Sequence, residues 1–164
     1  MQAESLQLVE TASANTKASF PYTPRLFSLR ELPAVLGALE KLEHTPDLII
    51  CDDHGIAHPG RLGQTSHLGV LLDISTIGCA KTALLPCSGN VSDERGSTID
   101  IFHHADFVGK MLRTHHSIYP DYVSPGHKIT ISESIEWVLT AGTEYRLPET
   151  IRLADQLVRR EQKK

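Results

Sequence analysis

Apolar residues recur along the chain at two spacings, one typical of amphipathic helices and one typical of strands. Helical spacing predicts helices over residues 28–42, 61–72, 132–139 and 148–160. Short apolar or alternating runs predict strands over 48–51, 74–80 and 107–113, a weak edge strand at 5–12 and a strand end at 122–123. Glycine and proline predict a loop over 84–100 and a tight turn over 124–127. The strand, helix and strand between 48 and 80 have the length of a right-handed parallel crossover, so we expect an α/β fold with a partly parallel sheet.

The composition is that of a globular protein rather than a disordered one. A chain of 164 residues, 40% of them hydrophobic, suits a single domain over 1–164. Its apolar runs are too short to cross a bilayer and its first residues lack a signal-peptide pattern, which predicts a cytoplasmic protein without membrane contacts. The formal charge of -4 argues against a general nucleic-acid coat but leaves room for a local basic cleft.

The stretch DLIICDDHGIAHP, residues 47–59, concentrates polar chemistry at a strand end. Four apolar residues lead directly into Asp52 and Asp53, and ligands often bind at such carboxyl ends of parallel strands. Glycine and proline in this stretch disfavour a zinc-binding helix, so its two histidines are expected on a loop. Lys81 follows the next predicted strand and shares this sheet edge if the two strands are parallel. It forms either a salt bridge with the acidic residues or, in a phosphate-handling site, a contact with the scissile group.

Two further polar residues are candidates for a metal site. Glu31 stands near the predicted start of the first helix, where it is either a helix cap or a carboxylate held for function. His127 ends the predicted tight turn, which aims its imidazole from a strand end. Two carboxylates, Glu31 and Asp52, with a nearby imidazole suit a hard divalent ion such as Mg2+, which can activate water at a phosphodiester. A structural network of salt bridges is the alternative.

Tyr22 lies in the segment Pro21-Tyr22-Thr23-Pro24. Each proline fixes one backbone φ angle, so the aromatic ring is carried on a stiff turn. The ring either stacks on a nucleobase or packs against the start of the next helix.

Four segments of the sequence carry a resemblance that covers most of residues 5–158; in order, they are PYTPRLFSLRELPA, DLIICDDHGIAHPGRLGQTSHLGVLLDISTIGCAK, SPGHKITI and YRLPETIRLAD. They resemble successive signature segments of the endonuclease V family, repair nucleases that cut near deaminated bases. It implies a ribonuclease-H-like fold, a mixed sheet flanked by helices. It also implies cleavage at the second phosphodiester 3′ of hypoxanthine (inosine), in DNA or RNA that contains deaminated bases. Mg2+ is the implied cofactor, with Mn2+ as a substitute.

The resemblance implies roles for individual residues as well. The implied metal ligands are Glu31, Asp52 and His127. The implied catalytic residues are these three together with Lys81. The implied nucleic-acid contacts are Tyr22, which matches a wedge tyrosine, and Arg30, His58 and Lys81.

The sequence also departs from the family pattern. In the family, a strand with a further metal-binding aspartate precedes the region that SLQLVE resembles, and no aspartate occurs here before Asp47. Asp53 and Arg25 stand where the family typically has glycine, so their side chains would crowd an approaching base. Alternatively, the Asp53 carboxylate could supply a substitute metal ligand. Two functions are therefore open: an active nuclease, completed by a separate N-terminal segment or a longer reading frame, or an N-terminally truncated, inactive relative that only binds nucleic acid. A chain that does not fold stably is a third alternative.

Overall fold

A computed structural model describes residues 1–17 and 27–163 of the chain. The elements, in order, are α1 (Phe27–Leu39), β1 (Leu48–Cys51), α2 (Gln64–Leu72), β2 (Ser75–Ala80), β3 (Thr98–His103), β4 (Asp106–Leu112), β5 (Asp121–His127), α3 (Ile131–Ala141) and α4 (Glu149–Glu161). The four predicted helices and the strands predicted at 48–51, 74–80 and 107–113 are confirmed, with ends shifted by up to three residues. No helix in the described ranges has the length and apolar content needed to cross a membrane.

The strands form one five-stranded mixed sheet in the order β1-β2-β5-β4-β3. β1 pairs with β2 in parallel, and Cys51 lies opposite Gly78. All other neighbours in the sheet are antiparallel. The last strand in sequence, β5, therefore lies in the middle of the sheet, between β2 and β4.

Helices cover both faces of this sheet. On one face, Ile77, Cys79 and Val123 pack with Val138 of α3 and Ile151 of α4 in a buried cluster. On the other face, α2 packs against β2 and β5, and α1 packs against α2. The polar residues that follow β1 and β2 lie at the end of the sheet where these two parallel strands finish.

Three predictions about irregular segments are wrong. Residues 5–12 form no strand; instead the Glu10 carboxylate accepts hydrogen bonds from two backbone N–H groups at 43 and 44, both at 3.0 Å. The predicted loop 84–100 contains the start of β3. Residues 124–127 are the end of β5 rather than a tight turn. Their Pro-Gly pair lies where the pairing with β2 shifts register, and such a bulge accommodates proline in a central strand.

The helix ends explain a further difference. α1 begins at Phe27 and contains Pro33 in its interior, so Glu31 lies inside the helix and is not a cap. Proline is more usual at the first helical position, because it has no N–H to donate to the preceding turn. α3, in contrast, begins with a complete capping box between Thr130 and Glu133.

Candidate active site

Asp52 and Lys81 meet at the carboxyl ends of the two parallel strands. Asp52 directly follows β1 and Lys81 directly follows β2, and the Lys81 Nζ atom lies 2.5 Å from Asp52 Oδ2. The Asp52 side chain is 38% exposed and that of Lys81 is 44% exposed, so a ligand can reach both. The prediction that these two residues share a sheet edge is confirmed. We call residues 52–56 the Asp52 loop.

The Asp52 loop is fixed by hydrogen bonds to β5. The Gly55 N–H donates to the Ser124 hydroxyl over 2.9 Å, and the next N–H donates to the Pro125 carbonyl, also over 2.9 Å. To reach these acceptors the loop passes directly over Gly78 of β2. A Cβ atom at Gly78 would lie 2.5 Å from two backbone atoms of the loop, which is closer than non-bonded atoms approach. Glycine at this position therefore lets the loop lie on the sheet and hold Asp52 at its edge.

Asp53 points back onto the loop's own backbone. Its carboxylate accepts a hydrogen bond from the His54 N–H at 2.5 Å. Burial raises the pKa of Asp53, while that hydrogen bond and the nearby His58 charge act in the opposite direction. The expected substitute-ligand role of Asp53 stays a prediction, and its carboxylate is already engaged by the loop.

The two histidines of this stretch lie on a loop, as predicted, and both are buried. Burial lowers the pKa of His54, opposed by its hydrogen bond to the Thr82 backbone, in the turn that carries Lys81. The Nδ1 atom of His54 is buried without a hydrogen-bond partner in the described structure. His58 Nδ1 accepts a hydrogen bond from the Gly60 N–H over 3.1 Å. His54 therefore bonds to the turn that carries Lys81, and His58 bonds to the backbone two residues after it.

Arg146 and Asp121 form a second polar pair, which contacts the main chain of Lys81. Arg146, in the connection between α3 and α4, donates from Nη2 to the Lys81 carbonyl over 3.0 Å and to the Pro120 carbonyl over 2.9 Å. Its Nε atom lies 2.8 Å from Asp121 Oδ1, an ion pair that lacks the alignment of a hydrogen bond. Asp121 is fully buried, and its Oδ2 atom accepts a hydrogen bond from the Thr114 hydroxyl over 3.1 Å. Burial raises the pKa of Asp121 to about 6, and the Arg146 charge opposes that rise.

The structure does not bring His127 to Asp52. His127 lies opposite Thr76, near the start of β2, because β5 runs antiparallel to β2. The register places it about 10 Å along the strands and about 10 Å across the sheet from Asp52. Its Nε2 atom lies 3.3 Å from Asp73 Oδ1, a carboxylate that also pairs with Lys128 at 2.7 Å. The metal-site role of His127 stays a prediction without geometric support.

The remaining predicted residues lie on or before α1. Arg30 and Glu31 are exposed on this helix, and no hydrogen bond or ion pair among the described residues joins Glu31 to Asp52. Tyr22 and Arg25 lie outside the described residues. Within the described ranges, no three histidine, cysteine, aspartate or glutamate side chains gather closely enough to hold a metal ion. The predicted trio of ligands therefore does not fit a preformed Mg2+ site in this part of the chain.

Comparison with known proteins gives one consistent family. The sequence model of the endonuclease V family matches residues 1–156. The endonuclease V of Trichormus variabilis is 51% identical over 152 residues, which are 93% of this chain and 69% of that protein. Nothing in the relatives supports the expected separate N-terminal segment that would complement the site.

Solved structures agree with this result. The crystal structure of endonuclease V from Streptomyces avermitilis superimposes with a TM-score of 0.86 at 44% identity, over 90% of this chain and 64% of that one. The structure of Ciona intestinalis endonuclease V in complex with a 24mer DNA containing an inosine followed by a ribo-adenosine has a TM-score of 0.77 at 27% identity, over 90% of this chain and 70% of that one. The predicted fold class, a ribonuclease-H-like mixed sheet flanked by helices, is confirmed. The chain spans about two thirds of the length of these relatives, and it belongs to the endonuclease V family.

Proposed function

We propose that the chain is a nuclease that hydrolyses a phosphodiester near a deaminated base, at the second bond 3′ of hypoxanthine, in DNA or RNA. The observation that carries the proposal is the exposed pair of Asp52 and Lys81 at the ends of the parallel strands. Family membership supports the reaction class. The Ciona relative, in complex with DNA that contains inosine, supports the substrate class.

The pair has chemistry that suits a phosphodiester. The Lys81 ammonium can donate charge-assisted hydrogen bonds to phosphate oxygens. The Asp52 carboxylate accepts hydrogen bonds only, so it can orient a water molecule or receive its proton. Because the two groups already contact each other, an entering phosphate has to compete with Asp52 for Lys81. The Asp52 loop keeps the carboxylate in place while this exchange occurs.

A divalent cation, Mg2+ or Mn2+, is part of the proposal on the strength of the family resemblance alone. The described residues supply Asp52 at this edge and no gathered trio of ligands for the ion. We expect strand cleavage to require added Mg2+ and to stop after chelation with EDTA. Undiminished cleavage in EDTA would remove the cation from the proposal.

The decisive experiment is cleavage of end-labelled strands that contain a single inosine, in single- and double-stranded DNA and in RNA, with adenosine-containing strands as the reference. We expect a product cut at the second phosphodiester 3′ of inosine. Asp52→Asn and Lys81→Ala should each lower the cleavage rate by about 100-fold or more, a range typical of lost acid–base or phosphate contacts.

The chain offers matched controls for these variants. Asp100 and Lys110 form the same kind of pair, also with 2.5 Å between Nζ and Oδ1, on strands β3 and β4 at the far side of the sheet. Asp100→Asn and Lys110→Ala should therefore keep the wild-type rate. Equal rates for Asp52→Asn and wild type would refute the site.

Nucleic-acid binding without cleavage is the second candidate. It is favoured by the separation of His127 from Asp52 and by the lack of a gathered ligand trio in the described ranges. In that case the protein would bind inosine-containing strands more tightly than adenosine-containing ones, as measured by fluorescence anisotropy. No product would form with either Mg2+ or Mn2+.

A further inference from the structure

We propose that Arg146 is a positioning residue that holds Lys81 against Asp52, and that buried Asp121 fixes the Arg146 guanidinium in place. The inference rests on the proposed function, because it deepens the description of the same site. Sequence reasoning did not single out either residue. Arg146 contacts the main-chain carbonyl of Lys81 rather than its ammonium group.

The geometry for this role lies in the backbone of Lys81. Lys81 directly follows β2, and its main-chain carbonyl accepts a hydrogen bond from Arg146 Nη2 over 3.0 Å. The same nitrogen donates to the Pro120 carbonyl, directly before β5, over 2.9 Å. Since β2 and β5 are neighbours in the sheet, one guanidinium links the end of β2 to the start of β5. A lysine whose backbone is held in this way keeps its ammonium within reach of Asp52.

Asp121 explains why the guanidinium stays at this point. Its side chain is fully buried, and a buried carboxylate is unfavourable unless charged or hydrogen-bonding groups surround it. Arg146 Nε lies 2.8 Å from one carboxylate oxygen, and the Thr114 hydroxyl donates to the other. A guanidinium presents several N–H donors in a planar fork, so it can face a carboxylate and two carbonyls at once. A lysine ammonium cannot satisfy the three acceptors in the same directions.

The alternative is a purely structural role, in which Arg146 only fastens the connection between α3 and α4 to the sheet. The two roles predict different effects. A structural residue changes the stability of the protein and leaves the properties of Lys81 in the folded state alone. A positioning residue changes the reactivity of Lys81 and the cleavage rate, and its effect disappears once Lys81 is removed.

The first measurement is a double-mutant cycle on the cleavage rate under single-turnover conditions. Arg146→Lys keeps a positive charge beside Asp121, so it avoids the uncompensated buried carboxylate that Arg146→Ala would create. We expect Arg146→Lys to lower the rate by roughly 10- to 100-fold with little change in the Kd for the inosine-containing strand, as a small misplacement of a reacting group does. In a Lys81→Ala background the same substitution should lower the rate no further. Additive losses would overturn the proposal.

A matched control lies close by in the sequence. Arg152 pairs with Glu149 through two side-chain nitrogens, over 2.6 to 3.1 Å, at the start of α4. Arg152→Lys alters the same kind of guanidinium–carboxylate pair without touching the Lys81 turn. We expect it to leave the cleavage rate unchanged.

The second measurement needs no catalysis. Lysines of the folded protein are acetylated briefly with acetic anhydride, and the modification of each is quantified by mass spectrometry. Lys110, which pairs with Asp100, is the internal reference. We expect Asp52→Asn and Arg146→Lys to raise the modification rate of Lys81 several-fold and to leave Lys110 unchanged. An unchanged Lys81 rate in Arg146→Lys would overturn the inference.

The two measurements separate the inference from the proposed function. If wild-type protein cleaves no inosine-containing strand, the proposed function fails, and the lysine modification alone decides the role of Arg146. If wild-type protein cleaves and the cycle is additive, the function stands and the positioning role fails.

Discussion

Replacing the buried carboxyl of Asp121 by an amide, Asp121→Asn, should remove a titration that lowers the stability of the protein as pH rises. Burial raises the pKa of Asp121 to about 6 in the folded protein, whereas an aspartate in an unfolded chain has a pKa of about 4. The folded state therefore binds the proton more tightly than the unfolded state. Stability from this group is fully present below pH 4 and is lost as the pH rises through about 6.

The magnitude follows from the difference in pKa. A change of one in pKa corresponds to about 1.4 kcal/mol, so a difference of about two corresponds to roughly 3 kcal/mol in total, of which about 2 kcal/mol is lost between pH 4 and pH 7. Other carboxyls, such as Asp73, have pKa values lowered by their partners and titrate in the opposite sense. These contributions are common to wild type and variant, so they cancel when the two free energies of unfolding are subtracted.

Urea unfolding at a series of pH values measures this difference. The single tryptophan, Trp137 on α3, supplies a fluorescence signal, and far-ultraviolet circular dichroism supplies an independent one. The free energy of unfolding of wild type minus that of Asp121→Asn should fall by about 2 kcal/mol from pH 4 to pH 7. A difference that stays constant with pH, or that rises, would refute the account of Asp121 as a carboxyl held in an unfavourable buried environment.

Three further substitutions test other parts of the structure. Gly78→Ala places a Cβ atom 2.5 Å from backbone atoms of the Asp52 loop, so it should cost about 2 kcal/mol of stability and lower cleavage in folded protein; wild-type cleavage would contradict the role of this glycine. Leu112→Ala removes a fully buried side chain from the core between the sheet and α3, so the free energy of unfolding, measured with denaturant, should fall by about 3 kcal/mol. A decrease below about 1 kcal/mol would contradict tight packing at this position. Thr130→Ala removes the cap of α3 and should lower the free energy of unfolding by about 1 kcal/mol, whereas an unchanged midpoint would show that the capping box contributes little.

The crossover and the Asp52–Lys81 pair could be predicted from sequence because each depends on a local pattern. An apolar run, an amphipathic helix and a second apolar run in succession define two parallel strands, and whatever follows those strands shares one edge. The positions of Asp52 and Lys81, directly after these two strands, could therefore be predicted from the local pattern alone. The segment that ends at His127 was predicted as a tight turn because Pro125 and Gly126 read locally as a turn, whereas the pairing of β5 with β2 accommodates them as a bulge in a central strand.

Arg146 and Asp121 could not be predicted, because their meaning arises from contacts between distant segments. Arg146 lies in a short connection without periodicity. The Pro120 carbonyl to which it donates, directly before β5, is 26 residues away in the sequence. Asp121 is the first residue of β5, a position where a carboxylate would ordinarily be solvated. Its burial depends on the packing of the α3–α4 connection onto the sheet, which no local pattern encodes.

The central position of β5 has a consequence for how the site comes into being. The acceptors for the Asp52 loop are on β5, and the Ser124 hydroxyl is 69 residues beyond the Gly55 N–H that donates to it. During synthesis the loop stays without these partners until the strand has left the ribosome and entered between β2 and β4. Pairing across such sequence distances is slow compared with helix formation. The geometry of Asp52 therefore depends on a strand that is synthesised much later, and a shorter nascent chain has the carboxylate without this support.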